Sequence, residues 1–418
     1  MRLRFLCAVI SLLFLPCAKL SAGDWPQFRG PDGQGHSTEV GLPVTWSETE
    51  NVAWRVDLPG QGWSSPVVVD GRIYLTAAVP VDAEAEKSDL SLRALCLDAQ
   101  SGELLWNHEV FLEDAATAPG IHQKNSHASP TPIVEADRLY VHFGHEGTAC
   151  LDLDGNVLWR NTELRYPPVH GNGGSPTIWR DRLIFSCDGG AAPFVVALDK
   201  HDGSLIWKHE RDVPAAKTFS FCTPQIIEVA GREQVVIPGS NIVSGLDPET
   251  GEPIWFVRYE GYSVIPRPVY AHGLIFIGTG YDSPIVMAIR PDGSGDCTET
   301  HVAWKHEKAA PNTPSLLVVG NELYMVSDNG VASCLDAITG EQHWQKRLGG
   351  NFSASPLFAD GRIYFQDEQG QATVIAPGTS FQQLAKNPIE GRTLASYAVA
   401  DGAIFLRTDT SLYRLQAK

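Results

Sequence analysis

Past its first 22 residues the chain has no apolar run long enough to cross a bilayer. It has no C-x-x-C, no two adjacent cysteines and no H-E-x-x-H, so the common zinc patterns are missing. It also lacks a P-loop, a G-x-S-x-G and any other nucleophile–base spacing. Positive charge is scarce, with 32 Lys and Arg against 49 Asp and Glu. A surface of that sign repels phosphate backbones and anionic lipid heads, which argues against nucleic acid as a partner.

The first 22 residues read as a signal peptide. Arg2 and Arg4 precede the apolar run Phe5–Leu15, and Leu20-Ser21-Ala22 ends on a small residue suited to cleavage. Cys17 follows Pro16, where a lipidation signal wants a small residue. The expectation is an exported protein, periplasmic or in the cell envelope, soluble and monomeric, with residues 23–418 as one domain. Loss of Arg2, Arg4 and Lys19 takes the formal charge from −17 to −20.

What the chain has is repetition. Leu97–Trp106 reads L-D-A-Q-S-G-E-L-L-W, and its spacing returns at Leu198–Trp207, Leu246–Trp255 and Leu335–Trp344. In each, a Gly stands four residues past the Asp and a Trp four residues later, the pattern of a tight hairpin between two short strands. A second pattern precedes it: a small residue, Pro, a short apolar run, an Asp-Gly-like turn and an apolar-aromatic strand. It starts at Ser65, Thr131, Ser175, Thr223, Arg267, Thr313, Ser355 and Ser396. Joined, the two patterns give units of roughly 40–50 residues, the length of a four-stranded propeller blade. The last unit ends at Leu412–Leu415 without an outer strand, and Asn51–Val56 looks like that strand with its Trp. The fold expected is all-β: an eight-bladed β-propeller of four-stranded antiparallel blades, closed by an N-terminal strand that completes the last blade. Trp54, Trp106, Trp159, Trp207, Trp255, Trp304 and Trp344 are then structural blade tryptophans packing against neighbouring blades. The seventh unit, near Phe381, has none.

The hairpin at Ala197–Trp207 resembles the tryptophan-docking repeat of the pyrroloquinoline-quinone-like propellers. That family includes quinoprotein alcohol dehydrogenases and the lipoprotein scaffold of the bacterial outer-membrane assembly machine. The opening Trp25-Pro26-Gln27-Phe28-Arg29-Gly30-Pro31 is similar to the start of exported planctomycete-type members, which carries no reaction with it. The resemblance implies, for an enzyme, a quinone held against an adjacent cysteine pair, a calcium ion and an Asp base. No Cys-Cys stands anywhere in this chain, and no stretch matches the calcium ligands or the base.

Six cysteines follow the leader; Cys96, Cys150 and Cys334 take equivalent strand positions where a small apolar residue is ordinary. A Cys187–Cys222 disulfide is open on sequence grounds. Six of the thirteen histidines fall between His108 and His170, and His142-x-x-His145 is the pair from which a metal site would start. Surface histidines are the reading adopted, and no metal ligand is assigned. Asp292–Glu299 only poorly matches a calcium loop and reads as a solvated hairpin insertion. Asp82–Asp89 reads as a charged surface loop.

The loops entering the innermost strands should gather at the central channel. Trp63, Asn125, His127, His170, Asn172, Asn312, Asn351 and Arg392 are the ligand-binding set expected there. No catalytic residue is assigned. The function expected is a non-enzymatic binding or scaffold propeller that takes a protein segment or a small polar ligand at this mouth. A dehydrogenase using pyrroloquinoline quinone and calcium is the first alternative, and a carbohydrate-binding or hydrolysing module the second.

Overall fold

The computed structural model describes residues 23–85, 87–211, 213 and 216–418. The expected leader, residues 1–22, lies outside the described residues. The described chain forms eight antiparallel sheets, with one short 3-10 turn at Gly144–Glu146 as its sole helical element. Each blade runs from an inner strand outward. Blade 1, for example, contains Val67–Val69, Arg72–Pro80, Leu90–Asp98 and Leu104–Glu113 in that order. The inner turns Asp70-Gly71, Asp360-Gly361 and Asp401-Gly402 have positive φ at both residues, as a two-residue hairpin requires.

Blade 8 holds Ala398–Ala400, Ala403–Arg407 and Ser411–Gln416, and its outer strand is Val52–Asp57, with Trp54 opposite Arg414. The ring is therefore shut by a strand from the front of the chain, which leaves no open sheet edge at the junction.

The tryptophans explain the Gly-to-Trp spacing. Indole Nε1–H groups of Trp54, Trp106, Trp159, Trp207, Trp304 and Trp344 donate to backbone carbonyls of the following blade: Ala99, Leu153, Lys200, Pro248, Ala337 and Gly378. Five of these rings also lie on the hairpin glycine of that next blade. A Cβ on Gly251 would stand 2.6 Å from the ring of Trp207, and one on Gly203 would stand 2.5 Å from that of Trp159. The motif's Gly and Trp thus never meet each other; each serves the opposite junction. Across the strand from the Trp stands a small residue, which is the place of Cys96, Cys150 and Cys334. All six described cysteines are buried and unpaired, Cys187 and Cys222 among them.

Blade 4 departs from the scheme. Trp255 turns into its own blade and donates to Gln234 Oε1 at 2.7 Å. The insertion in blade 5 replaces the hairpin glycine it would have met, and Gly295–Asp296 adds a fifth, parallel strand beside Trp255 and Phe256. Cys297, buried in that insertion, donates its N–H to Phe256 O. The segment read as a solvated hairpin is thus a brace between blades 4 and 5. In blade 7, Ala385 stands opposite Val374 where the Trp would be, and Phe381 packs edge-on against Trp344.

The N-terminal stretch had no assigned place, and it closes the channel. Trp25 pairs with Val68 of blade 1, Pro26 O accepts from Val134 of blade 2, and Asp32 O accepts from Gln225 of blade 4. Phe28 O takes Arg267 Nη1 of blade 5 at 2.6 Å, and Arg29 Nη2 donates to Leu316 O of blade 6 at 2.6 Å. Gly35 then bonds Phe358 of blade 7 and Glu39 takes the N–H of Gly402 in blade 8. This floor reaches seven of the eight blades. Arg29 and Arg267 are wholly buried there, and burial first, then mutual proximity for Arg29, lowers them to about 9 and about 10. Both stay charged at neutral pH.

Candidate functional site

The inner strands begin with a hydroxyl residue, and these hydroxyls form a ring. Each backbone N–H donates to the side chain of the next blade: Ser65 to Thr131, Thr131 to Ser175, Ser175 to Thr223, Arg267 to Ser315, Ser315 to Ser355, Ser355 to Ser396 and Ser396 to Ser65. The distances run from 2.9 to 3.1 Å. The relay stops only between blades 4 and 5, where Arg267 has no hydroxyl and sends its side chain to the floor. In blade 6 the ring residue is Ser315, two positions past Thr313, so the start read at Thr313-Pro314 was out of register.

Two residues before each ring position the extended backbone presents a second side chain on the same face. In order these are Trp63, Ser129, Gly173, Phe221, Ile265, Thr313, Ser353 and Leu394, and every one lines the central cavity. Above the floor residue Phe28 the two tiers enclose about 440 Å³. Phe219, Tyr262 and Tyr281 widen the aromatic wall on the side of blades 3 to 5. The result is a cup with an apolar-aromatic sector, a hydroxyl lining and a closed base.

Its rim is charged. Lys124, on the long connection between blades 1 and 2, reaches across to Glu368 Oε1 at 2.9 Å and Asp328 Oδ1 at 3.6 Å, in blades 7 and 6. Burial works against the ammonium, but the bond from Glu368 and the two negative charges hold its pKa above the ordinary value. Burial also opposes the Glu368 carboxylate, yet Lys124 and the Ser353 hydroxyl at 2.6 Å keep its pKa low. Lys217 stands over the Tyr262 ring, 3.7 Å from its centroid, and is exposed. His122, at the mouth, is held below its usual pKa by burial and by His170 and Lys124 nearby.

Of the residues singled out from sequence, Trp63, Asn125 and His170 line the cup. His170, at φ +64, sets its ring edge-on to Phe219 at 5.3 Å, and Asn125 Nδ2 donates to its carbonyl. Arg392 lies at the rim, 5.7 Å above the Trp63 ring and bonded to Gln123 O. The other four are elsewhere. His127 pairs with Glu113 at 2.6 Å. Asn172 bonds Tyr166 and His145 beside blade 2. Asn312 shapes a turn, its N–H on Asp328, and Asn351 does the same against Gln369. They were chosen by residue type, whereas the cup is specified by register. Lys124, Lys217, Phe219, Phe221, Tyr262 and Phe28 were missed; counting two residues back from each ring hydroxyl would have found Phe221.

His142 and His145 do not converge. His142 is on a strand and buried against Phe185, its Nδ1 on Thr148 Oγ1 at 2.8 Å, and burial drops its pKa to about 3. His145 sits on the following turn. The described residues of Asp82–Asp89 cap their own hairpin and do not line the cup.

Chemically, the lining offers stacking faces, hydroxyls, amides and two ammonium groups. Among its described residues there is no carboxylate. Calcium takes six to eight oxygen ligands, usually including carboxylates.

Residues 36–186, 129–291 and 296–409 match the family model described as outer membrane protein assembly factor BamB. The BamB of Alkalilimnicola ehrlichii is 27% identical over 166 residues, which is 36% of this chain and 42% of that protein. That of Yersinia pestis is 24% identical over 292 residues, 66% of this chain and 67% of that protein. The crystal structure of BamB from Moraxella catarrhalis superposes with a TM-score of 0.61 at 15% identity, covering 87% of this chain and 99% of that one. A europium-containing methanol dehydrogenase gives 0.66 at 10% identity, covering 93% and 91%. Two proteins of such different description on one fold mean that the fold carries no activity by itself.

Proposed function

This chain belongs to the family of the outer membrane protein assembly factor BamB, and from that premise we propose that it is an exported, non-enzymatic binding propeller. Its ligand is a short segment of a partner polypeptide, held in the central cup. The observation that carries this reading is the cup itself, closed below by Phe28 and walled by Trp63, Phe219, Phe221 and Tyr262. Its volume falls within the roughly 300–1,000 Å³ of ordinary ligand sites. An aromatic or aliphatic side chain fits its apolar sector, and an anionic group on the same segment meets Lys217. The relatives are named for assembling outer membrane proteins, which favours a polypeptide over a metabolite. The absence of carboxylates from the described lining supports a site working without quinone and calcium. The leader read at residues 1–22 supports export, and no helix among the described residues is long and apolar enough to cross a membrane.

A photo-crosslinking residue placed at Lys217 and, separately, at Val40, which is exposed beside Glu39 at blade 8 and does not line the cup, tests the site. A discrete crosslinked partner is expected from position 217, lost on Phe221→Ala and absent from position 40. Equal yields from both positions, or a yield unaffected by Phe221→Ala, would overturn the cup as the binding site. Saturable binding of pyrroloquinoline quinone with calcium, accompanied by dye reduction on adding an alcohol, would overturn the non-enzymatic reading.

A further inference from the structure

Away from the cup, at the junction of blades 1 and 2, three ligand-bearing side chains converge. Glu113 ends the outer strand of blade 1, and His145 and Glu146 lie on the 3-10 turn of blade 2. One ligand atom from each lies within 4.8 Å of the others. Glu113 is 2% exposed; its Oε2 takes His127 Nδ1 at 2.6 Å, while its Oε1 is buried with no hydrogen-bond partner. A buried carboxylate oxygen without a partner is an exception that calls for a ligand. His145 Nε2 points to Glu146 Oε1 at 3.0 Å, and its Nδ1 is held by Asn172 Nδ2 at 3.1 Å. The backbone is shaped for that second contact: Gly144, at φ +60, passes so near Asn172 that a Cβ there would stand 1.8 Å from the amide carbon.

We propose that Glu113, His145 and Glu146 form a binding site for a divalent first-row transition cation such as zinc or manganese. One imidazole nitrogen and two carboxylate oxygens, with water completing the shell, suit such an ion, whereas calcium prefers an all-oxygen shell. Metal–ligand bonds of about 2.0–2.2 Å require the three atoms to close in by roughly an ångström. Binding needs His145 Nε2 unprotonated and its proton on Nδ1. An amide flip of Asn172 then offers its oxygen to Nδ1, and the Tyr166 hydroxyl, now 2.9 Å from that oxygen, can accept from the amide nitrogen instead. His127 orients Glu113 from behind. Arg165 Nη1, exposed and 3.4 Å from Glu146 Oε2, also donates to His145 O at 3.1 Å, so it flanks the carboxylate from the solvent side. Glu113 and His127 are the two ends of the connection that carries Lys124 to the rim. The bound ion therefore pins the root of that connection.

The test is titration of the purified protein with Mn²⁺, followed by loss of the free-ion paramagnetic resonance signal. One Mn²⁺ per chain is expected, displaced by Zn²⁺ and not by equimolar Ca²⁺. Glu113→Gln and His145→Gln should each weaken it at least about tenfold, Asn172→Ala about tenfold, and Asp292→Asn not at all. Zn²⁺ should also slow proteolysis within residues 114–126. Glu146→Gln, at a less buried position than Glu113, serves should Glu113→Gln fail to fold. No saturable binding at millimolar Mn²⁺, or binding that survives both Glu146→Gln and His145→Gln, would overturn the site. Displacement by equimolar Ca²⁺ would overturn the class of ion.

Discussion

Gly251→Ala is the sharpest test of how the blades are joined. Gly251 has φ +76, and its added Cβ would stand 2.6 Å from the Trp207 ring of the preceding blade. Holding an alanine in the left-handed region costs about 1–2 kcal/mol. Relieving the clash costs about 1–3 kcal/mol more, since the ring is buried and hydrogen-bonded to Pro248 O. The single variant should therefore lose about 2–5 kcal/mol. Trp207→Ala alone should lose about 3–5 kcal/mol. In the double variant the clash has no partner, so Gly251→Ala costs only its backbone share. A urea-denaturation cycle should then show a coupling of about 1–3 kcal/mol. Trp255, in the same motif as Gly251, faces Gln234 instead and should show no such coupling. A coupling to Trp255, or none to Trp207, would refute the junction described above.

Three further outcomes are expected. His142 has a folded-state pKa of about 3 against an ordinary 6.5, so between these values the unfolded chain holds a proton that the folded one refuses. Its contribution is complete above about pH 6.5 and drains as pH falls toward 3; His142→Phe should flatten stability against pH there by up to about 1.4 kcal/mol per unit, and an unchanged slope would count against its burial. Arg211 donates to buried Asp188 at 2.9 Å, so Arg211→Met should cost about 3–5 kcal/mol in the same assay, and a near-neutral result would mean the carboxylate finds water or a proton at little cost. Arg267→Ser supplies the missing ring hydroxyl but frees the floor at Phe28 and Gly33; a net loss of about 1–2 kcal/mol is expected, and a gain would show that the floor does not need this anchor.

The blade count and the closing strand were legible because most junctions bury a similar wedge, and Trp54, Trp106 and their counterparts repeat at readable spacing. Which glycine each ring meets was not legible, since the partner lies a blade away. The floor had no periodic signal: Trp25–Gly35 is irregular backbone whose bonds go to strands up to hundreds of residues distant. At the mouth, residue type misled. Asn312 and Asn351 sit in turns, where their backbone N–H groups donate to the side chains of Asp328 and Gln369. Phe221 and Ile265 look like core residues in sequence and line the cup because they stand two positions before the ring. His145 was weighed with His142; in the fold its ring bonds Glu146 beside it and Asn172 from a later loop, and Glu113 of the blade before lies close by.

The stretch Trp25–Asp57 has a consequence for biosynthesis. Val52–Asp57 is synthesised well before Ser411–Gln416, yet it finds its pairing strand only when Ser411–Gln416 has been made. Until that later strand is made, the chain carries an unmatched strand and an uncovered blade, a state that invites aggregation. A chain cut before Ser411 would stay in that state.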